Sequence, residues 1–193
     1  GWVNGATLAP DRYGVNGKAY SFDGVNDSIE SNGTIGGINV PMNAFTYSMW
    51  VKPDAYEAGQ TWETFISRSV VPSDGKSLNW FGMAHHENAR SLRLHTKPFS
   101  GPTDWIDTTH SIVSLNQWSH FTSTFDGTTS RIYLNGQLVA SGATPSPPPS
   151  TSYKFNIGRD YAVGPEFLSG LADDIRIYGR ALSAAEGAKL HTF

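Results

Sequence analysis

The ten residues Arg-Ile-Tyr-Leu-Asn-Gly-Gln-Leu-Val-Ala, numbered 131–140, decide the fold class. Two runs of alternating polar and apolar residues flank Asn135-Gly136, and both residues of this pair tolerate the positive φ angles of a two-residue hairpin turn. Runs of the same kind recur along the chain, separated by turn residues. The predicted strands are Lys18–Phe22, Phe45–Lys52, Thr64–Val70, Trp80–His85, Ser91–Thr96, Ile112–Leu115, Trp118–Phe125, Arg131–Leu134, Gln137–Ser141, Tyr153–Ile157 and Leu171–Tyr178. So many strands without intervening helices predict an all-β chain folded as an antiparallel β-sandwich or jelly roll.

One short helix is predicted near the C-terminal end. Ser183 and Glu186 have the spacing of a capping box, in which each side chain bonds the backbone amide of the other residue. Gly187 lowers the helical propensity immediately after this cap, so we expect two helical turns at most. The proline-rich stretch 144–150 is interpreted as an exposed loop inside one domain, because strand-like sequence resumes at Tyr153. We therefore expect residues 1–193 to form a single domain.

Composition excludes several classes of protein. The net charge is −3, so there is no basic footprint for nucleic acid. No apolar run approaches the roughly 20 residues that cross a bilayer, so membrane insertion is not expected. The chain has no cysteine, which rules out disulfides, thiol catalysis and thiolate metal sites. It begins with Gly1 rather than methionine, and we expect it to be part of a larger multidomain protein.

Four segments resemble, in order, the motifs of one family. They are Gly17–Asp27 (G-x-A-x-x-F-D-G-x-x-D), Phe45–Pro53 (F-T-x-S-x-W-V-K-P), Trp118–Gly136 (W-x-H, D-G and Y-x-N-G) and Gly170–Ser183 (similar to G-x-x-D-D-V-R-I-Y-x-R-A-L-S). With these motifs the chain resembles laminin G-like domains of the concanavalin A-like lectin/glucanase superfamily. The resemblance implies a β-sandwich that binds carbohydrate or protein. It also implies a secreted or cell-surface bacterial protein, and the lack of cysteine is compatible with this location.

A metal site is suggested by two acidic segments. Asp23, Asn26 and Asp27 lie within five residues on a glycine-containing turn and offer the oxygen ligands that Ca²⁺ prefers. Strand alternation puts Asp173 on the same face as Ile175 and Ile177, and a core-facing carboxylate needs a partner cation. The resemblance implies a structural Ca²⁺ that joins the two segments. In the alternative, Asp23 and Asp27 are ordinary turn residues, while backbone amides or Arg176 bond Asp173.

A ligand site is suggested by polar and aromatic residues on one sheet face. Leu92 and Leu94 are expected in the core, so Arg93 and His95 project outward together. Sugars stack on Trp or Tyr rings, and their hydroxyls bond to Arg, Asp or His. The candidate ligand-binding residues are Trp80, His85, His86, Arg93, His95, Asp104, Trp105, Arg159 and Tyr161. In the alternative, the tryptophans pack in the core or at its rim, and the two adjacent histidines end a strand.

The leading hypothesis is a non-catalytic, calcium-stabilised carbohydrate-binding module. The alternative is an adhesion or protein-interaction module. A glycoside hydrolase or polysaccharide lyase is less favoured. Hydrolases of the superfamily carry E-x-D-x-x-E on one strand, and this chain has no such motif. It also lacks the G-x-S-x-G sequence of a serine nucleophile.

Overall fold

The computed structural model describes residues 1–31, 43–54, 62–69, 77–84, 90–96, 104–144, 154–160 and 166–192. Within these ranges, fourteen strands form two seven-stranded antiparallel sheets. Across the front sheet the strands are β1 (Trp2–Asn4), β4 (Ser28–Glu30), β13 (Lys154–Ile157), β6 (Trp62–Ser69), β7 (Ser77–Ala84), β8 (Ser91–His95) and β9 (Trp105–Asp107). Across the back sheet they are β12 (Gln137–Ala143), β11 (Thr129–Leu134), β10 (Ser119–Phe125), β5 (Phe45–Pro53), β14 (Ser169–Tyr178), β3 (Ala19–Asp23) and β2 (Thr7–Ala9). The predicted all-β sandwich is confirmed.

The core lies between the two sheets and is built from alternate residues of the long central strands. In β5, Phe45, Tyr47 and Met49 point inward and are each 1% exposed. The ring centroids of Phe65 in β6 and Phe121 in β10 are 4.9 Å apart, so this contact joins the front sheet to the back sheet. Fully burying one such side chain contributes about 1.5–3 kcal/mol. The alternation that predicts these strands is therefore also the pattern that holds the sheets together.

The predicted turn and helix signals are confirmed. Asn135 and Gly136 both have positive φ, at 49° and 77°, and connect β11 to β12. Helix α1 spans Ala184–His191, and its N-terminus carries the full capping box. The Ser183 amide donates to Glu186 Oε2 at 2.8 Å, while the Glu186 amide donates to Ser183 Oγ at 3.3 Å.

The differences from prediction concern short strands at or next to the sheet edges and one irregular segment. Four strands have only three residues each, which is too short for a pattern of alternating polar and apolar residues to be recognised: β1, β2, β4 and β9. The predicted strand Ile112–Leu115 is wrong, although Val113 is buried as a strand residue would be. Ser111 and Asn116, which flank it, have φ angles of 58° and 59°, and this left-handed backbone prevents extended pairing.

The C-terminal segment covers the outer face of the back sheet. Thr46 Oγ1 donates to the Arg180 carbonyl and accepts from the Leu182 amide, both at 2.9 Å. Farther along β5, the ring of Trp50 stacks on His191 of α1 with centroids 5.4 Å apart. In the described part of the chain, no helix has the length and apolar character needed to span a membrane.

Candidate functional site

An arginine held by aromatic and acidic side chains lies on the outer face of the front sheet. Leu92 and Leu94 are fully buried, so Arg93 and His95 alternate outward as predicted. The Arg93 Nε and Nη2 atoms donate to the two carboxylate oxygens of Asp107 at 2.5 and 2.6 Å. A two-bond fork of this kind fixes the guanidinium plane.

Two tryptophans contact the same guanidinium. The Arg93 Cζ atom lies 4.3 Å from the ring centroid of Trp62 and 4.6 Å from that of Trp105. Trp62 is on β6, and strand β7 lies between β6 and β8. Arg93 reaches Trp62 across β7 because Gly82, the residue of β7 that pairs with Arg93, has no side chain. We call Trp62, Arg93, His95, Trp105 and Asp107 the Arg93 cluster.

Strand register brings the rest of this cluster together. In the β8–β9 pair, Arg93 lies opposite Asp107, and His95 lies opposite Trp105. The His95 and Trp105 rings stack with centroids 5.2 Å apart and an interplanar angle of 25°, while Trp105 Nε1 donates to Asp107 Oδ2 at 3.2 Å. Each polar side chain of the cluster is thus fixed by a neighbour before any ligand arrives.

The His95 imidazole is neutral at physiological pH. Burial lowers the pKa of His95 to about 4, and the positive charge of Arg93 acts in the same direction. The Asp107 and Asp104 carboxylates oppose this shift. His95 therefore presents a neutral ring that stacks and can donate or accept a hydrogen bond.

Two carboxyl groups lie beside the Arg93 cluster. Arg159 and Phe167 form an antiparallel bridge. The next residues on these two segments, Asp160 and Glu166, therefore lie across from each other. Burial raises the pKa of Glu166 to about 7, and the negative charge of Asp160 adds to the rise, whereas Arg93 opposes it. We call Asp160 and Glu166 the carboxyl pair. The Ser67 hydroxyl on β6 donates to the Arg159 carbonyl at 2.7 Å, which ties these segments to the front sheet.

The structure gathers part of the predicted ligand set. Arg93, His95 and Trp105 come together, and Asp104, which is buried, precedes β9. Arg159 lies with its Cζ atom 5.5 Å from the ring centroid of Phe167, next to the carboxyl pair. Trp80 lies opposite His95 in the strand register. The predictions for His85, His86 and Tyr161 fall outside the described residues.

Sequence reasoning missed four residues of this region. Asp107 follows Trp105 at the two-residue spacing of a strand face, a signal hidden by reading this segment as a loop. Trp62 lies two residues before the predicted start of its strand. Asp160 and Glu166 have no local signal, since only the folding back of the chain brings them together.

The predicted metal ligands do not come together in one place. Asp173 was expected to face the core, and this is wrong, because the neighbouring Ala172 faces the core instead. The register between β14 and β5 shifts after Asp173, where Asp174 has a φ of 47°. This bulge moves the following residues by one position, so Ile177 returns to the side of the core residue Tyr47.

The partner cation of Asp173 is an arginine. Arg12 Nη1 lies 2.6 Å from Asp173 Oδ2, and Arg12 Nη2 lies 2.9 Å from Asp174 Oδ2. The nearby Arg176 is paired with Asp174, at 3.5 Å. Strand β14 meets Asp23 at Ser169, four residues before Asp173, which corresponds to about 13 Å along a strand.

The acidic turn is held mainly by its own backbone. Asp23 Oδ1 accepts bonds from the amides of Val25, Asn26 and Asp27, at 2.8, 3.1 and 3.3 Å. Asp27 Oδ2 accepts the Asp23 amide at 3.0 Å. Among the described residues, no group of three or more His, Asp or Glu side chains is arranged to hold a metal ion. The four predicted ligands therefore do not fit a single Ca²⁺ site.

Comparisons with known proteins agree on the fold. A family model described as the concanavalin A-like lectin/glucanases superfamily matches residues 23–186. Domain 4 of AbnA, a GH43 extracellular arabinanase from Geobacillus stearothermophilus solved with arabinotriose, has a TM-score of 0.68 at 21% identity, covering 97% of this chain and 82% of that domain.

Two further matches are to longer chains, of which this chain spans about half. A carbohydrate-binding protein from Bacteroides ovatus, described as putative, has a TM-score of 0.64 at 18% identity, covering 89% of this chain and 46% of that protein. The binding domain of botulinum neurotoxin serotype G has a TM-score of 0.65 at 19% identity, covering 97% of this chain and 46% of that domain. No curated protein sequence is significantly similar to this chain. At these identities the structural matches establish the fold alone.

Proposed function

The chain belongs to the concanavalin A-like lectin/glucanases superfamily, and from this premise we propose that it is a carbohydrate-binding module whose site is the Arg93 cluster. One observation carries the proposal. Arg93 is fixed by a two-bond fork to Asp107 and by contact with the rings of Trp62 and Trp105, on an outward-facing sheet surface.

This arrangement supplies both parts of sugar recognition. The indole rings offer apolar surface on which the C–H face of a pyranose or furanose stacks. Within the described residues, Arg93 Nη1 has no hydrogen-bond partner, so it can donate to a hydroxyl group. Asp107 adds carboxylate acceptors at a position fixed by its bonds to Arg93. Since the groups are already ordered, binding a sugar costs little further side-chain entropy.

We propose that the module does not itself cleave glycans. This proposal is supported by the absence from the sequence of the E-x-D-x-x-E pattern, which would place two carboxylates on one strand to flank a scissile bond. An extracellular or cell-surface location in a bacterial protein is supported by the likeness to a domain of an extracellular arabinanase. An adhesion module that binds a protein partner is the competing function.

The proposal is tested by glycan arrays with the whole chain and two matched variants. Trp105→Ala removes a ring of the cluster. Trp2→Ala removes a ring on β1, at the opposite edge of the front sheet, where it is 62% exposed. Glycan binding that is lost in the first variant and kept in the second supports the proposal. The absence of binding to any glycan would favour the adhesion function, and the release of shortened products would show a hydrolase or lyase.

A further inference from the structure

The strand that carries two residues of the Arg93 cluster is short and lies at the edge of the front sheet. Strand β9 consists of Trp105, Ile106 and Asp107, and among the described strands only β8 pairs with it. Trp105 and Asp107 belong to the Arg93 cluster, whereas Ile106, opposite the buried Leu94, faces the other way and packs against the core. Pairing with β8 therefore holds β9 along one side, and Ile106 connects it to the interior.

Ile106 meets a glycine of the opposite sheet. Strand β9 lies against β12, the edge strand of the back sheet. A β-carbon built on Gly142 of β12 would lie 2.9 Å from Ile106 Cγ2, well inside the separation of about 3.5–4.0 Å at which carbon atoms make their best contact. Gly142 pairs with Ser130, another small residue, which is fully buried. The back sheet thus leaves room at this point for the side chain of Ile106.

Close approach, and not backbone conformation, explains a glycine at this position. The φ angle of Gly142 lies outside the left-handed region, so other residues can adopt its backbone conformation. Glycine weakens a strand, because it loses more conformational entropy on folding than other residues and has no side chain to pack. An alanine would therefore favour β12 if the space beside it were open. The methyl group of Ile106 occupies that space.

The position of β9 acts directly on the Arg93 cluster. Trp105 and Asp107 flank Ile106, and Asp107 bonds Arg93 through both carboxylate oxygens. Trp105 Nε1 donates to Asp107 Oδ2 at 3.2 Å, and the Trp105 ring stacks on His95. The groups of a binding site have to be held to within about 0.5 Å. Relieving a contact of 2.9 Å to an ordinary carbon–carbon distance needs a movement of about 0.6 Å or more.

We infer that Gly142, on the back sheet, is a positioning residue for the ligand site on the front sheet. Because Gly142 admits Ile106, β9 lies at the depth at which Trp105 and Asp107 meet Arg93. The geometry of the site thus depends on the edge of the opposite sheet. The inference rests on the proposed function for its effect on glycan binding, whereas its effect on the Arg93 cluster is measurable without a glycan.

A double-mutant cycle between Gly142 and Ile106 tests this inference. Gly142→Ala adds the colliding methyl group, and Ile106→Ala removes the methyl group that it meets. One readout is the NMR signal of the Trp105 indole N–H group, assigned by its loss in Trp105→Phe. The other is the Kd for the glycan that binds most strongly on the array. The control is Gly136→Ala in the β11–β12 turn, where φ is 77° and an alanine strains the backbone beside α1 rather than β9.

Gly142→Ala is expected to shift the Trp105 indole signal and to weaken glycan binding by about threefold or more, while Gly136→Ala changes neither. In the Ile106→Ala background, the same glycine substitution should change the affinity by less than about twofold, because the collision is gone. An unchanged affinity of Gly142→Ala overturns the inference, as does an equal loss in both backgrounds.

Failure of the proposed function gives a different result. If the wild-type chain binds no glycan, the proposed function is wrong, and the indole signal alone decides the inference. A shift of that signal in Gly142→Ala that is absent when Ile106→Ala is also present would support a positioning role for Gly142. An indole signal that Gly142→Ala leaves unchanged would overturn it.

Discussion

The molecule contains two arginines that are held in almost the same way, one on the front sheet and one beside the back sheet. Arg93 on the front sheet is bonded by Asp107 and contacts two tryptophan rings. Arg12, beside the back sheet, bonds Asp173 and Asp174, with its Cζ atom 4.5 Å from the ring centroid of Tyr13 and 5.0 Å from that of Trp50. We call Arg12, its two aspartates and these two rings the Arg12 cluster.

The two clusters differ in what they connect. The bond from Arg12 to Asp173 spans 161 residues and ties the N-terminal segment to the last strand. The bond from Arg93 to Asp107 spans 14 residues, between neighbouring strands. The side chains of Arg12 and Asp173 are each 9% exposed, against 19% for Arg93 and 36% for Asp107. The same pairing chemistry therefore closes the fold in one place and leaves an accessible surface in the other.

The largest expected effect is the loss of stability when the Arg12 cluster is broken. Arg12→Ala leaves Asp173 as a buried carboxylate without its cation, a change that costs about 3–5 kcal/mol in other buried pairs. Denaturant unfolding measures the free energy of unfolding. Arg131→Ala is the control: it removes an exposed arginine that bonds Asp126 at 2.7 Å, and should cost about 1 kcal/mol or less. If both variants lost the same free energy of unfolding, the ion pairs of the Arg12 cluster would not contribute more to stability than an exposed ion pair does.

The second expected effect is a loss of stability in acid through His120. Its Nε2 atom lies 2.9 Å from Ser48 Oγ, and burial beneath the C-terminal helix lowers the pKa of His120 to about 4, with further lowering by His191. The unfolded chain binds this proton near pH 6.5. The contribution of neutral His120 is therefore full above pH 6.5 and is lost as the pH falls toward 4, by about 1–2 kcal/mol at pH 5.

Unfolding of wild type and His120→Gln at pH 7 and pH 5 isolates this contribution. Glu166 titrates in the opposite direction in both proteins, because its raised pKa favours the folded state as the pH falls. The difference between the two proteins should shrink at pH 5. His110→Gln replaces an exposed histidine and serves as the control. If the wild-type and His120→Gln curves stayed parallel, His120 would not be the group that acid destabilises.

The smallest expected effect concerns calcium. The sequence predicts that Ca²⁺ stabilises the chain through Asp23, Asn26, Asp27 and Asp173, and this remains a prediction. The position of Asp173 in the Arg12 cluster now confines any response to the acidic turn. Millimolar Ca²⁺ should raise the melting temperature by a few degrees at most, and Asp27→Asn should abolish the rise. Asp173→Asn should lower the melting temperature in both conditions and keep the rise. A response lost in Asp173→Asn but kept in Asp27→Asn would contradict this assignment.

The sequence predicts the framework of this fold well because its signals are local. Alternation in β5, β8 and β10 identifies which residues face the core, and so predicts that Arg93 and His95 point outward. The hairpin at Asn135 and the capping box at Ser183 depend on neighbours within a few residues. Each of these features is set before distant parts of the chain meet.

The errors arise where one residue or one distant contact changes the geometry. A bulge at Asp174 reverses the alternation of β14, so strict parity assigns Asp173 to the wrong face. Its actual partner, Arg12, is 161 residues away and has no pattern that connects it to the strand. Glu166 meets Asp160 only after the chain folds back. The candidate site was thus predictable on β8, and its acidic margin was not.

The most direct test of the central claim is the affinity of the chain for its strongest array ligand after two matched substitutions. Arg93→Gln and Arg131→Gln each remove an arginine that bonds an aspartate, one in the proposed site and one on the back sheet. Removing a charged hydrogen-bond partner costs about 1.5–3 kcal/mol, so titration calorimetry should show at least a tenfold weaker Kd for Arg93→Gln, with Arg131→Gln unchanged. A folded Arg93→Gln protein that binds the glycan as tightly as the wild type would contradict the account.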